Sequence, residues 1–343
     1  MDNKKIFKIL SIDGGGIKGL YSAVILADFE ERYGKLSNYF DLICGTSTGG
    51  IIALALAADL PAKEIVNLYK EHGPKIFPYK NIVSRQLHMF KQLVLTSKYD
   101  DKVLKDALRN VFGEMRVKDC KVNVLIPTSN ITKGTPCIIK NDHSPDLGRD
   151  SNHLLVDVAL ATAAAPTYFP IQTIPTMEDS DDQFADGGLF GNNPSLHGIQ
   201  EAYHYFIGEE NKKYTDFSLL SVSTLHQSFS FEKALKIRHR SFALWNSKLI
   251  SLMMDLQSIS THFHIKYLNK SLNGQYIRIE SESLTKKQSK LIDIDKASKK
   301  SIKLLIEKGH ESSNKWLNDS RLHHFFNLND TEIELRREQI GTV

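Results

Sequence analysis

The sequence predicts an α/β fold in which a mostly parallel central sheet carries helices on both faces, and three observations predict it. Short, largely apolar runs recur along the first half of the chain, as strands buried on both faces require. These runs alternate with segments of helical periodicity, and glycines mark the strand-to-helix junctions. The length of 343 residues, 41% of them hydrophobic and 24% charged, allows a sizeable core and excludes a disordered or fibrous chain.

In chain order, Phe7 to Ile12 reads as a buried strand and the glycines after it as a tight turn. Leu20 to Arg32 reads as a helix with Leu20, Val24 and Ala27 on one face. Phe40 to Gly45 is a second strand, followed by an apolar helix from Ser47 to Ala58 that Pro61 ends. Lys121 to Ile126 and Phe217 to Val222 are further strands, with a short helix over Ala159 to Ala165 between them. Phe242 to Ser260 and Asp295 to Leu317 read as long amphipathic helices. No repeat or Pro/Gly/Ser linker divides the chain, so one continuous globule is expected.

Composition narrows the function classes. The longest apolar run, Ile51 to Ala58, stops at Asp59 and falls short of the ~20 residues that span a bilayer, so no transmembrane helix is expected. Met1 to Leu10 lacks the apolar region of a signal peptide. Cys44, Cys120 and Cys137 show no CxxC spacing, which argues against a disulfide framework or a zinc knuckle and for a cytoplasmic location. Residues 1–230 hold 24 basic and 27 acidic groups, a formal −3, and residues 231–343 hold 20 and 13, a formal +7. The basic second part suits an anionic partner, or is a solvated face.

Three local motifs carry chemistry. Gly45-Thr46-Ser47-Thr48-Gly49 is a G-x-S-x-G between a strand and an apolar helix, the setting of a serine nucleophile on a sharp turn. The bland alternative is that Ser47 caps the helix. Asp13-Gly14-Gly15-Gly16-Ile17-Lys18-Gly19 is a glycine loop at the end of the first strand. Gly14, Gly16 and Gly19 match the dinucleotide G-x-G-x-x-G, but the acidic residue expected about 20 positions on is missing: Asp28, Glu30 and Glu31 fall in the first helix. Beside a serine elbow, such a loop offers backbone N–H donors to an oxyanion. Asp186-Gly187-Gly188, followed by Asn192-Asn193-Pro194, can hold a carboxylate at a tight turn within reach of a serine, or be a plain turn. Among the histidines, His143, His153, His197 and His226 sit in no catalytic motif.

Together and in this order the three motifs resemble those of the patatin-like phospholipases, with their D-G-G-G-x-R/K-G loop, G-T-S-T-G-G elbow and D-G-G or D-G-A turn. Ala161-Thr162-Ala163-Ala164-Ala165-Pro166-Thr167-Tyr168-Phe169-Pro170 is similar to the family's A-T-S-A-A-P-x-x-F-P stretch, with Ala163 in place of serine. The resemblance covers roughly residues 6–200 and implies a three-layer fold, with residues 201–343 a mainly helical elaboration on the same globule. It also implies a dyad of Ser47 as nucleophile and Asp186 as general base. Gly14, Gly15 and Gly16 would form the oxyanion hole, supported by Gly19, Gly45, Gly49, Gly187 and Gly188. No metal or cofactor is expected.

The activity implied is hydrolysis of fatty acyl esters of membrane glycerophospholipids through an acyl-enzyme, by a cytoplasmic protein peripheral to the inner membrane face. An acyltransferase using the same acyl-serine, and a nucleotide-binding module without catalysis, are the alternatives. The Ile9 to Gly19 opening also resembles the antiphage phospholipase effectors that cyclic dinucleotides switch on, which implies such an activator, with Arg238, Arg240 and Lys248 as candidate contacts and no role for DNA or RNA. For Asp186 to act as a base its pKa must rise, by burial or by repulsion from the acidic run Glu178-Asp179-Ser180-Asp181-Asp182, itself a candidate calcium chelator. Lys75 to Lys98, basic and apolar without an acid, is a candidate membrane-facing lid.

Overall fold

The computed structural model describes residues 5–78, 97–175, 181–208, 213–226, 247–268, 272 and 274–327. Strand β1 (Ile6–Ile12) is the spine of the molecule. It pairs in parallel with β2 (Leu42–Gly45) on one side and with β7 (Asp216–Val222) on the other. Parallel pairing continues outward to β3 (Asn123–Asn130) next to β2 and to β8 (Gln275–Ile279) next to β7. Three antiparallel strands complete one eight-stranded sheet: β4 (Thr135–Lys140) and β6 (Gln183–Asp186) both pair with β3, and the two-residue β5 (Gln172–Thr173) pairs with β6.

Period-two alternation divides the spine between two apolar layers. Phe7 and Ile9 join Leu42, Leu125, Phe217 and Leu219 on one face, under α7 (Ser195–Glu201) and α8 (Ser247–Leu268). Leu10 and Ile12 join the larger cluster on the other face. That layer contains α1 (Gly19–Tyr33), α2 (Thr48–Ala57), α3 (Ala62–Ile76), α4 (Lys102–Phe112) and α5 (Leu155–Thr162), with α10 (Lys299–Leu317) and α11 (Ser320–Phe326) on α1. All ten residues of α2 are buried, which its sequence TGGIIALALA permits and a solvent-facing helix would not. The short α6 (Gly188–Gly191) follows β6, and α9 (Lys286–Ser289) precedes α10.

The expected three layers and mostly parallel sheet are therefore present, with shifts at the element ends. The second strand begins at Leu42, the third runs on to Asn130, and the helix expected over Ala159 to Ala165 occupies Leu155–Thr162 and stops short of Pro166. The first long C-terminal helix lies at Ser247–Leu268 rather than ending at Ser260. Residues beyond 200 are more than helices, because β7 and β8 extend the central sheet. No described helix is long and apolar enough to cross a membrane.

Candidate active site

The parallel strands deliver the site at their carboxyl ends, where an open α/β sheet leaves a crevice. Directly after β2, Ser47 is held at φ 55 and ψ −125, a backbone conformation that a non-glycine residue keeps only when its surroundings impose it. The surroundings are close. A Cβ on Gly49 would lie 2.3 Å from the Ile12 carbonyl oxygen, and one on Gly45 would lie 2.1 Å from the Gly49 oxygen, so only glycine fits on either side of the elbow. Thr46 Oγ1 donates to the Gly191 oxygen at 2.6 Å. The Ser47 amide donates to Thr162 Oγ1 at 3.0 Å, and that hydroxyl donates on to the Pro127 oxygen at 2.7 Å. The Ser47 side chain makes no capping hydrogen bond to α2, which removes the helix-cap reading and leaves the hydroxyl available.

Asp186 reaches Ser47 from the opposite direction. Strand β3 pairs with β2 only as far as Cys44 with Leu125 and then continues to Asn130. The antiparallel β6 lies along this overhang, Thr128 opposite Asp186, and ends beside the elbow. Gly187 turns the chain there with no room to spare, since a Cβ on it would sit 2.1 Å from the Pro127 oxygen. The Asp186 carboxylate is buried, with Oδ1 accepting from the Gly188 amide at 2.7 Å and Oδ2 without a hydrogen-bond partner. Burial pushes this carboxyl up to about 7, against the Ser47 hydroxyl and the Gly188 amide, which hold it down. Of the acidic run before it, Asp182 pairs with Lys133 at 2.9 Å and with Asn130 Nδ2 at 2.7 Å, and residues 178–180 lie outside the described residues. The four histidines are engaged elsewhere, His143 with Glu201, His153 with Asp150, His197 against Phe190 and His226 with Asp255.

The glycine loop passes next to Ser47. A Cβ on Gly14 would lie 3.1 Å from the Ser47 Cβ and 2.4 Å from Asn192 Oδ1. The Gly14 amide donates to the Asn192 oxygen at 3.0 Å and is thus paired inside the protein. The amides of Gly15 and Gly16 have no acceptor among the described residues. Gly16 must be glycine twice over, by its φ of 57 and because a Cβ would lie 2.2 Å from the Ile294 oxygen. Gly19 lies against Thr48, where a Cβ would be 2.1 Å from Cγ2.

Residues far along the chain set this loop, and of them Arg278 and Asp255 lie in no motif. Arg278 on β8, its side chain only 5% exposed, forks onto the wholly buried Asp13, with Nη1 to Oδ1 at 3.2 Å and Nη2 to Oδ2 at 2.5 Å. Lys18, also buried, pairs with Asp255 of α8 at 3.3 Å. Burial alone would raise the Asp255 carboxyl, but Lys18 and His226 beside it hold it below its ordinary value. Asn192 joins the loop to α8: its Nδ2 donates to the Gly14 oxygen at 3.3 Å, the Met254 oxygen at 3.2 Å and Ser258 Oγ at 2.8 Å. Only Asn192 and Thr162 had a sequence signal, through the Asn-Asn-Pro and Ala-Thr-Ala-Ala-Ala-Pro stretches.

From Ser47 an apolar cleft opens between α2, α3, α4 and the segment after α5, with Ile51, Tyr69, Phe77, Leu104, Tyr168 and Phe169 among its walls. It suits an aliphatic chain better than a polar ligand. The candidate lid falls largely on residues 79–96, and Arg238 and Arg240, like the side chain of Lys248, also lie outside the described residues. Among the described residues no cluster of three or more His, Cys, Asp or Glu side chains offers a metal site.

Residues 10–197 match a family model described as patatin-like phospholipase. A protein of Pseudomonas aeruginosa (strain BWHPSA011 / Pa011) named cGAMP-activated phospholipase is 32% identical over 320 residues, covering 93% of this chain and 91% of its own. Proteins of the same name from Vibrio cholerae serotype O1 (strain ATCC 39315 / El Tor Inaba N16961) and Escherichia coli (strain TW11681) are 32% and 30% identical. They cover 95% and 94% of this chain and 96% and 94% of their own.

Proposed function

This chain belongs to the patatin-like phospholipase family and is a lipid hydrolase, and we propose that it cleaves fatty acyl esters of membrane glycerophospholipids through a Ser47–Asp186 dyad. The observation that carries the dyad is the buried Asp186 carboxyl, which the Ser47 hydroxyl holds down and whose Oδ2 has no hydrogen-bond partner. Ser47 Oγ attacks the acyl carbonyl while Asp186 Oδ2 takes the hydroxyl proton, giving a tetrahedral oxyanion. The amides of Gly15 and Gly16 receive that oxyanion, and the N-terminus of α2 adds its positive dipole end. Collapse releases the lysolipid alcohol, which takes the proton back from Asp186. Water, deprotonated by the same carboxylate, then cleaves the acyl-serine to a free fatty acid and regenerates the hydroxyl. The acyl chain lies in the apolar cleft beside Ser47.

A carboxylate at its ordinary value would be a weak base, and one raised to about 7 is matched to neutral pH. Since only the deprotonated form accepts the proton, kcat/KM measured on a soluble short-chain ester should rise with pH and level off above an apparent pKa near 7. A profile flat from pH 5 to 9 would remove Asp186 as the base. Asn192 acts as a positioning residue for the glycine loop. Asn192→Ala is expected to lower kcat by roughly 10- to 100-fold with KM little changed and the fold intact, because the oxyanion donors shift relative to Ser47. A change confined to KM, or to the melting temperature, would count against that role.

Activation by a cyclic dinucleotide is part of the same reading, supported by relatives that carry cGAMP in their names and share nine-tenths or more of the chain. So is action from the cytoplasm at the inner membrane face. The experiment is fatty-acid release from labelled phospholipid vesicles, with and without cyclic dinucleotides, for the parent and Ser47→Ala. Release in the parent alone supports the dyad, and release that ignores every nucleotide would withdraw the activator. Acyl transfer to an added alcohol in place of fatty-acid release would make the protein a transferase.

A further inference from the structure

Helix α8 presents apolar side chains on two opposite faces. Its inner face includes Met254, Ser258 and Ile265, buried against the Asp-Gly-Gly turn, Asn192 and the sheet. Its outer face carries Met253, Leu256, Ile259, Phe263 and Tyr267, all exposed, Phe263 at 49% and Tyr267 at 65%. At ~100° per residue these five fall within about a third of the helix circumference, directly opposite the buried face. The exposed polar residues interleaved with them are Ser260, His264 and Lys266, while the only carboxylate of the helix, Asp255, points inward to Lys18. The two short helices that pack on α8 each expose a leucine as well, Leu189 on α6 and Leu196 on α7. A helix serving only as a wall of the core would be polar on this side.

We propose that the outer face of α8 is the surface on which the enzyme seats itself on a phospholipid bilayer. This rests on the acyl-hydrolase reading of the site and adds the place where protein and lipid meet. Two observations select a bilayer over a second copy of the chain. Five half-exposed side chains present on the order of 500 Å², short of the ~800 Å² that each partner gives to a standard protein interface. The stripe also combines two aromatic rings and aliphatic chains with a lysine and no acid, a composition that suits the boundary between acyl chains and anionic headgroups. The position is productive too. Gly188 leaves room for Met254, whose Cε would lie 2.5 Å from a Cβ at that residue, so the helix that meets the lipid also covers the turn bearing Asp186.

The test uses the Ser47→Ala protein, which should leave vesicles intact, floated with vesicles of phosphatidylglycerol and phosphatidylethanolamine. Adding Leu256→Asp and Phe263→Asp should weaken its binding by roughly tenfold or more. With Ser47 restored, the pair should lower release from vesicles by a similar factor while hydrolysis of a soluble short-chain ester stays within about twofold, since neither side chain touches the site. A single Phe263→Trp variant, which preserves an exposed ring, should show a blue-shifted emission when vesicles are added. Unchanged flotation of the double variant, no flotation of its Ser47→Ala parent, or no emission shift would overturn the proposal. So would a dimer in sedimentation that the two aspartates dissolve without affecting vesicle binding, which would make the occupant a second copy. A protein that binds vesicles through α8 but hydrolyses no ester would refute the acyl-hydrolase reading and leave this surface standing.

Discussion

Asp186→Asn is expected to lower ester hydrolysis by about 10⁴-fold or more while making the protein more stable at neutral pH. Both effects come from one fact, the burial of a carboxyl whose pKa rises from 3.8 to about 7. A group that binds its proton more tightly in the folded than in the unfolded chain contributes most below its unfolded value. That contribution declines as pH rises from ~4 and is gone above ~7, where the folded protein holds a buried charge. A rise of this size corresponds to at most ~4 kcal/mol. Asparagine is neutral at every pH, keeps the acceptor for the Gly188 amide and removes the penalty, so thermal unfolding at pH 8 should shift upward by a few degrees and lose its slope between pH 4 and 7. Ser47→Ala should match the catalytic loss while keeping the slope of stability between pH 4 and 7, since the carboxyl stays buried and loses only a group that holds it down. If Asp186→Asn kept substantial activity, or unfolded earlier than the parent at pH 8, the carboxylate would not be the buried base described above.

Arg278→Met is expected to produce the largest loss of stability among the site-supporting residues, about 3 to 5 kcal/mol, because it strands the buried Asp13 carboxylate without a partner. The same substitution should depress turnover, since Asp13 begins the glycine loop that we propose supplies the oxyanion donors. Replacing both partners, Asp13→Asn with Arg278→Met, should recover much of the stability, because a neutral pair no longer leaves a charge in a low-dielectric site. Denaturant titration of the two single variants and the double variant measures this directly. Equal and additive losses would mean that the ion pair contributes nothing beyond its separate side chains. Lys18 and Asp255 form a parallel case on α8, the helix that also presents the apolar stripe. Two separate elements from beyond residue 200 thus hold the one glycine loop.

The ease of reading the chain follows from the range of the interactions involved. Phe7 to Ile12 and the Leu20 to Arg32 helix emerge within a residue of their observed ends because periodicity and burial act within one element. The short antiparallel strands β4, β5 and β6 have no such signature; six residues or fewer, partly exposed, they are strands because of the edges they meet, β6 where β3 runs past β2, β4 along β3 and β5 on β6. Gly14 shows the same limit inside a motif. The family resemblance implies an oxyanion donor there beside Gly15 and Gly16, and its amide is taken by a carbonyl 178 positions away.

By itself the sequence determined the family and the α/β layering, and it marked Ser47 and Asp186 as the pair we propose for catalysis, because each is written in contiguous residues whose backbone demands, a strained elbow and glycine turns, are local. Tertiary structure alone decided how that chemistry is set. The Asp186 carboxyl is raised chiefly by burial, the Gly14 amide is paired while those of Gly15 and Gly16 have no acceptor among the described residues, and Arg278, Asp255 and Asn192 anchor the loop. Desolvation and the pairing of buried charges depend on which atoms surround a group in space, and those atoms come from parts of the chain that carry no mark of the partnership.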